Sequence, residues 1–335
     1  MRAPAHHRPG GGFRNPWESA RTHGFLDFLK WTLVERQRLP AGRQPEPRTF
    51  PRAIPDFISP RPEPVLFTIT WVGHSTFLIQ IGGLNVLLDP IWSDRASPLR
   101  FAGPRRRVPP AVAFDALPPI DAVVLSHDHY DHLDAQTVRR LIHRYPAIAW
   151  FAPLGVGALL RARGAREVVE CDWWQESNVA SLRLTCLPAQ HFSGRRLDNR
   201  NETLWCGWAI RSAHHSVLFA GDTALHPQFG SIAARCGPFD IAILPIGAYE
   251  PRWFMGPVHM NPEDCLIAMG QLRERQAGER LVLVGAHWGT FKLTDEPINE
   301  PPARMRSNWR AGGLPEDDLW VMRHGETRTM SRSVE

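Results

Sequence analysis

The stretch Ser126-His127-Asp128-His129-Tyr130-Asp131-His132 places three histidines and Asp131 within six positions. It follows directly on Ala122–Leu125, a short apolar run of the kind that forms a buried strand. Neutral imidazole and carboxylate groups suit zinc, iron or manganese. A tight loop at a strand end can aim alternate side chains at one point, so this stretch predicts a metal site directly after a strand.

Four ligands do not complete two metal sites, and later parts of the chain supply three more candidates. Each of these follows a predicted strand: His191 comes after Leu182–Leu187, Asp222 after Val217–Ala220, and His287 after Leu281–Val284. A single histidine at a strand end is usually a core or surface residue with its own hydrogen-bond partners and no metal. Three residues in the same structural position indicate ligands. Because strand ends converge on one rim of a sheet, we predict a two-metal centre built from seven residues: His127, His129, Asp131, His132, His191, Asp222 and His287.

In the rest of the body, residues 65–335, the apolar patterns predict strands first and then strands mixed with helices. Alternating apolar residues predict a first strand at Phe67–Trp71, and a β-meander continues through Thr76–Ile81 and Asn85–Leu88. Later apolar runs predict further strands at Ile148–Ala152 and Ile241–Pro245. Helices are predicted at Ala135–Arg144, Val156–Arg163 and Pro262–Arg275. This order predicts an α/β protein in which helices cover two packed sheets, an αββα sandwich.

Residues 1–64 are predicted to form an N-terminal extension with a disordered start. Apolar residues at helical spacing predict a helix from Gly24 to Arg38, and the density of proline predicts an extended strap over Pro40–Pro64. The apolar face of this helix either packs on the body or stays partly open and docks on a bilayer or a partner chain. Trp17 and Trp31 are candidate anchors at such a membrane interface.

Composition limits the classes of function. The formal net charge is +5, and Lys30 and Lys292 are the only lysines; this use of arginine is typical of a coding bias, with phosphate attraction as the alternative. A net charge this small does not predict binding to nucleic acid.

The five cysteines are odd in number and form no Cys-x-x-Cys pair, which favours a reducing compartment. With no long apolar run and no signal-peptide core, we expect a cytoplasmic protein, and leave a peripheral membrane contact and a homodimer open.

The order of the predicted ligands resembles the metallo-β-lactamase superfamily, and the absence of a cysteine ligand separates this chain from the Cys-containing β-lactamases. Further segments narrow the resemblance to the N-acyl-phosphatidylethanolamine-hydrolysing phospholipase D family and its bacterial relatives: Asn15–Trp17, Trp71–Thr76, Leu88–Ser93, Arg95–Pro98, Gly103–Arg106 and Tyr249–Met255. The likeness spans roughly Phe13 to Pro301.

The resemblance implies a division of the ligands: His127, His129 and His191 for one metal, Asp131, His132 and His287 for the other, and Asp222 between them. Two zinc ions are expected, with iron and manganese left open. Asp131 and Asp222 would then take part directly in catalysis.

Five more residues receive roles from the resemblance. Asp89 would steady the ligand loop, although a plain turn former at a strand end would look the same, and His74 would support the ligands or the pocket. Tyr130, Tyr249 and His259 would contact the substrate. His259 would also act in catalysis as a cation in the pocket that contacts the phosphate. The alternative is that it only precedes the predicted helix at Pro262 and has no function.

The implied reaction is hydrolysis of a phosphodiester by metal-activated water, which would convert an N-acylated phospholipid to phosphatidic acid and an N-acylethanolamine. A lactonase or another ester or amide hydrolase is one alternative. A nuclease is the second, for which the Arg-rich loop Arg100–Arg107 is the argument. The third is a metal-dependent, membrane-associated scaffold without turnover. The complete ligand set argues against the scaffold, since a structural site rarely needs an open bimetallic centre.

Overall fold

The computed structural model describes residues 4–17, 23–35, 50–196, 198–276 and 278–330. The strands in these ranges are β1 Phe67–Gly73, β2 Thr76–Ile81, β3 Leu84–Leu88, β4 Ala122–Val124, β5 Ala149–Pro153, β6 Glu167–Cys171, β7 Glu176–Val179, β8 Leu182–Leu187, β9 Gly207–Arg211, β10 Ser216–Phe219, β11 Ile241–Pro245, β12 Val282–Ala286, β13 Leu319–Trp320 and β14 Thr327–Met330. The helices are α1 Phe25–Leu29, α2 Ala135–Arg144, α3 Gly157–Arg161, α4 Phe229–Cys236, α5 Arg252–Met255, α6 Pro262–Arg273 and α7 Glu300–Ala311.

The strands form two mixed sheets of seven strands each. The first has the order β14-β1-β2-β3-β4-β5-β6 and the second the order β13-β12-β11-β10-β9-β8-β7. In the first sheet β3 to β6 run parallel, and in the second β10 to β13 run parallel. The remaining pairs are antiparallel. Parallel strands place their carboxyl ends on one edge of each sheet, which is where open α/β sheets hold ligands.

The pleat of the strands divides their side chains between two layers. In β3, Val86 and Leu88 belong to the core between the sheets, whereas Leu87 packs with Val138 and Leu141 of α2. Side chains from α4, α6 and α7 join the core cluster of the second sheet. Helices therefore cover the outer face of both sheets, which confirms the predicted αββα sandwich.

Sequence patterns located several elements residue for residue. The bounds of β2, β8, β11 and α2 equal the predicted ones. The patterns missed β6, β7, β9, β13, β14, α4, α5 and α7. Two of the missed strands, β7 and β14, are polar and largely half-exposed, so they lack the alternation that marks a buried strand. The helix α7 buries only about one residue per turn (Pro301, Met305 and Trp309), so its apolar face is too narrow to mark a helix in the sequence.

The prediction of a disordered start is wrong for residues 4–17, which lie against the body. The Nε2 atoms of His6 and His7 lie 2.6 and 2.7 Å from the two carboxylate oxygens of Asp172. The His6 ring stacks on Trp173 at 4.1 Å, and Phe13 is buried. Side-chain contacts thus fix a segment whose composition alone is typical of disorder. Residues 1–3 and 18–22 lie outside the described ranges.

The predicted helix Gly24–Arg38 begins at Phe25, is α-helical to Leu29 and continues as a π-helix over Lys30–Glu35. Residues 36–38 lie outside the described ranges, as do residues 40–49 of the predicted strap. The described part of the strap, residues 50–64, runs across the body with one isolated bridge between Arg52 and His324. Within the described ranges, no helix combines the length and apolar character that a membrane crossing requires.

Candidate metal centre

The motif loop, residues 126–132, joins the carboxyl end of β4 to α2. Asp134 caps α2, accepting a hydrogen bond from the Gln136 amide at 3.1 Å. Two contacts from the second sheet hold the loop: the Trp208 indole donates to the Leu125 carbonyl at 2.8 Å, and the Cys206 amide donates to the Ser126 carbonyl at 2.9 Å. The packing of the two sheets therefore sets the position of the loop.

The structure brings the seven predicted ligands together at this rim. Asp222 lies at the centre, with its Oδ2 atom 3.1 Å from the Nε2 atoms of both His132 and His287. The same oxygen is 3.9 Å from His127 Nε2 and 3.8 Å from His191 Nε2. One carboxylate oxygen thus faces four imidazole nitrogens, contributed by loops of both sheets.

The remaining ligands complete two groups around Asp222. His129 Nδ1 lies 2.8 Å from His127 Nε2 and 3.2 Å from His191 Nε2, so three nitrogens face one another. On the other side, Asp131 Oδ2 lies 3.5 Å from His132 Nε2 and 3.4 Å from His287 Nε2. These two groups match the division of ligands that the resemblance implies.

The donor atoms fit metal ions better than they fit one another. Two donor atoms bound to one tetrahedral ion at about 2.0–2.1 Å lie about 3.3 Å from each other. Most of the distances between donor atoms given above are close to this value. Among the described residues, His132 Nε2, His287 Nε2 and Asp222 Oδ1 are buried without a hydrogen-bond partner. Such atoms destabilise a fold unless something else binds them. The residues present therefore fit two cations.

The pKa values of the ligands also favour bound cations at this site. Burial lowers the pKa of His129 to about 4 and that of His191 to about 3, so both rings are neutral and keep a lone pair. Burial by itself raises the pKa of Asp222, but His132 and His287 outweigh it and hold that pKa well below the usual range. Burial by itself lowers the pKa of His287 and His132, but Asp222 and Asp131 outweigh it and raise the pKa of His287 to about 9 and that of His132 well above its usual value. Without added cations these two rings therefore carry the protons that compensate the carboxylates, and metal ions would replace those protons.

Asp89 and His74 hold the ligands from behind. The Oδ2 atom of Asp89 accepts from His132 Nδ1 at 2.6 Å and from the Ser126 hydroxyl at 2.5 Å, and its Oδ1 atom accepts from the Ser126 amide at 2.8 Å. His74 Nε2 donates to Asp131 Oδ2 at 2.9 Å, and its ring lies 4.1 Å from that of His287. His74 is buried, so it orients Asp131 and does not contact the cavity directly.

A cavity of about 500 Å³ opens above the centre. Its floor is formed by His259 and five of the seven ligands: His129, Asp131, His191, Asp222 and His287. Its wall is mainly apolar: Phe28, Trp31, Phe192, Phe254, Met255, Val258 and Leu293. Arg196 and Arg200 also line it. Trp31 is buried, donates to Asp295 Oδ2 at 2.7 Å and stacks on Phe254 at 5.1 Å, so the N-terminal helix forms part of the wall.

His259 lies at the cavity as predicted, with its ring 5.0 Å from that of His191. Burial lowers its pKa well below the usual value, so it is a neutral hydrogen-bonding group and not the predicted pocket cation. The prediction that Tyr249 contacts the substrate is wrong for this structure. Tyr249 is fully buried, its hydroxyl donates to Glu300 at 2.7 Å, and Arg304 covers its ring.

Tyr130, predicted to contact the substrate at the pocket mouth, is not among the residues that line this cavity. Its hydroxyl donates to the Arg195 carbonyl at 2.9 Å, and the Arg195 guanidinium lies 3.9 Å from its ring centre. Arg195 in turn donates to the Asp128 and Leu133 carbonyls. Tyr130 and Arg195 therefore fasten the motif loop to the loop that follows His191.

Sequence reasoning missed the role of Asn15, although it quoted this residue within the family resemblance. The Asn15 amide donates to the main-chain carbonyl of His191 at 2.8 Å, and its Oδ1 atom accepts from the Trp205 indole at 3.2 Å. The N-terminal segment thereby positions a metal ligand. An asparagine before a proline is a common turn pattern, so the sequence carried no signal for this contact.

Comparisons with known proteins agree with this geometry. A sequence model of the Beta-lactamase superfamily domain matches residues 84–288. The N-acyl-phosphatidylethanolamine-hydrolysing phospholipase D 1 of Caenorhabditis elegans is 38% identical over 299 residues, covering 84% of this chain and 81% of the relative.

Two solved structures share the fold. A metallo hydrolase from Ignicoccus hospitalis matches with a TM-score of 0.60 at 23% identity, covering 80% of this chain and 100% of its own. A diiron β-hydroxylase from Streptomyces venezuelae matches with a TM-score of 0.55 at 22% identity, covering 81% of this chain and 55% of its own.

The fold and the donor set define a metal-dependent hydrolase of the β-lactamase superfamily. The match to the nematode enzyme assigns the chain to one family within this class. The chain belongs to the N-acyl-phosphatidylethanolamine-hydrolysing phospholipase D family, which confirms the predicted resemblance.

We predict that Asn15→Ala weakens metal binding about tenfold, because residues that orient ligands contribute on this scale to metal affinity. Competition with a chelator measures the affinity. Arg14→Ala is the matched control, since Arg14 bonds to the Ala5 carbonyl within the same segment. Equal affinities of Asn15→Ala and the wild type would contradict the positioning role.

Proposed function

We propose that this protein hydrolyses N-acyl-phosphatidylethanolamine or a related phospholipid to phosphatidic acid and an N-acylethanolamine. The observation that carries the proposal is a two-metal donor set at the floor of a cavity whose wall is mainly apolar. Such a cavity suits a substrate with a charged reacting group and a long apolar chain. The name of the nematode relative, which includes this lipid, supports the same substrate class.

The metal assignment follows from the donor set. His127, His129 and His191 would hold one ion, and Asp131, His132 and His287 would hold the other, with Asp222 between the two groups. Imidazole and carboxylate favour zinc at both positions, and iron or manganese fit the same donors. When bound, the two ions supply an activated water and positive charge beside the phosphoryl oxygens.

The chain's own groups then move the proton and orient the phosphate. Asp222 lies between the two groups of ligands and is ionised, so its carboxylate accepts the proton of the attacking water. The water oxygen bonds to phosphorus, the bond from phosphorus to the ethanolamine oxygen breaks, and Asp222 returns the proton to that leaving oxygen. The neutral His259 ring, whose Nδ1 atom lacks a described partner, hydrogen bonds to the phosphate and holds it in line.

A bilayer contact through the N-terminal helix would deliver the lipid. Trp17 and Trp31 are not the anchors, because Trp17 stacks on His226 at 4.9 Å and Trp31 is buried in the cavity wall. Instead Leu26, Leu33 and Val34 are 79%, 77% and 79% exposed on the same helix. Apolar side chains exposed next to an apolar cavity favour a helix that rests on the interface and guides an acyl chain inward.

We predict that Asp222→Asn leaves the fold intact and lowers phosphodiesterase activity at least about 100-fold, because a neutral amide cannot accept the proton or balance two cations. Circular dichroism checks the fold and elemental analysis the metal content, expected at about two ions per wild-type chain. The same change at the exposed Asp317 is the control. Full activity of Asp222→Asn would exclude this role.

We predict that the enzyme hydrolyses bis-p-nitrophenyl phosphate faster than nitrocefin or a lactone, because His259 and the paired metal sites suit phosphoryl charge. Rates are compared at equal substrate concentration with the metal-loaded protein. Faster turnover of nitrocefin or of the lactone would favour an ester or amide hydrolase instead.

We predict that Leu33→Ser/Val34→Ser weakens binding to phospholipid vesicles and slows hydrolysis of lipid in them, while bis-p-nitrophenyl phosphate turnover stays unchanged. Point variants are preferable to removing residues 1–38, because residues 4–17 also support the metal centre. Ile54→Ser is the control, since Ile54 is 91% exposed outside the helix. A parallel loss of both activities would assign the helix to the structural core.

A further inference from the structure

A second cavity, here called the basic cavity, lies outside the metal centre, against the Arg-rich loop. Its volume is about 640 Å³. Its walls carry four cationic side chains and one carboxylate: Arg105, Arg106, Arg107, Lys292 and Asp94. Trp92, Pro109 and Pro110 complete the lining, and none of these eight residues lines the metal-centre cavity.

Arg106 is the central observation, because it is a buried cation that forms no ion pair within 4 Å among the described residues; Asp134 and Asp94 act on it only from a greater distance. The side chain is 8% exposed. Its guanidinium donates to the main-chain carbonyls of Ser93 at 3.0 Å and Ile91 at 2.8 Å, and lies 4.8 Å from the Phe291 ring centre. A guanidinium has about five N–H donors, so these two bonds leave several for another partner. No described carboxylate forms an ion pair with it.

Arg105 and Arg107 add positive charge to the basic cavity that is weakly compensated. Arg105 pairs with Asp94 at 3.1 Å, but the two side chains are 69% and 65% exposed, so this pair is weak. Among the described residues Arg107 forms no ion pair. The Lys292 ammonium donates to the carbonyls of Thr294 and Glu296, which fixes it at the wall.

We propose that the basic cavity binds a doubly charged phosphate group, free or on a lipid headgroup. A guanidinium fork matches two phosphate oxygens, and an anion would compensate the buried charge of Arg106. Trp92 and the two prolines give the cavity an apolar side that leaves room for an ester substituent. A coding bias toward arginine explains frequent arginines, but it does not explain a buried one that no described carboxylate contacts as an ion pair.

The basic cavity is joined to the metal centre through one segment of the chain. Arg106 forms a backbone bridge with Phe291, and the Arg107 amide donates to the Thr290 carbonyl. This segment starts at His287 in the metal centre and reaches Lys292 at the basic cavity. A phosphate bound there would therefore stabilise the loop that follows a metal ligand.

The test compares the full-length, metal-loaded protein with Arg105→Gln/Arg107→Gln, which leaves the buried Arg106 in place. Isothermal titration calorimetry with inorganic phosphate measures binding, which we expect the double variant to weaken about tenfold. The control is Arg166→Gln/Arg275→Gln, which removes two exposed arginines elsewhere. Phosphate also binds metal centres, so its inhibition constant against bis-p-nitrophenyl phosphate is measured in parallel and should be equal in all three proteins.

A second arm measures sedimentation with phosphatidylcholine vesicles, with and without phosphatidic acid. If phosphate binding and phosphatidic-acid-dependent sedimentation both weaken in the double variant, the site takes the free group as well as the headgroup. If only the vesicle arm weakens, the ligand is the headgroup. The proposal is overturned if the wild type binds in neither arm, if the double variant equals the wild type in both, or if the control loses as much. None of these outcomes depends on the proposed hydrolytic activity.

Discussion

The structure depends on one buried carboxylate that must be surrounded by positive charge. Asp222 is 3% exposed and faces imidazoles from loops of both sheets. Burying an ionised carboxylate is costly unless partners compensate it, so Asp222 is stable there only when the packed sheets bring positively charged partners next to it. Gly221 shows how tight this packing is: its φ is +60°, and a Cβ there would lie 2.5 Å from the Ser126 Cβ. The sandwich and the metal centre therefore specify each other.

Several independent contacts hold the ligand loops, and they come from distant parts of the chain. Asp89 fixes His132, His74 fixes Asp131, and Arg195 fastens the motif loop to the loop after His191. Asn15 adds a contact from the N-terminal segment. A metal centre needs its donors placed within a few tenths of an ångström, and packed side chains with satisfied hydrogen bonds achieve this better than the loops alone. The N-terminal extension is thus part of the hydrolase in structural terms.

The cavity above the centre has a polar part and an apolar part, as a phospholipid does. Its floor is polar and charged, and much of its wall is aromatic or aliphatic. The two tyrosines that the family resemblance suggested for substrate contact serve the scaffold instead, because each phenol already has a partner, Glu300 for Tyr249 and the Arg195 carbonyl for Tyr130. The apolar residues Trp31 and Phe254 contribute the wall that those tyrosines were expected to provide.

The fold class and the seven donors of the centre could be predicted from the sequence, because both are encoded locally: the donors follow apolar runs that end at one rim, and the motif loop spans a few residues. The family resemblance also located Asp89 and His74 near the ligands. Features that depend on contacts between distant residues could not be predicted in this way. Polar edge strands such as β7 and β14 become strands by pairing with neighbours, which no local pattern marks. The roles of Asn15, Tyr130 and Tyr249, and the basic cavity around Arg106, arise from atoms that meet only when the two sheets and the N-terminal segment have packed.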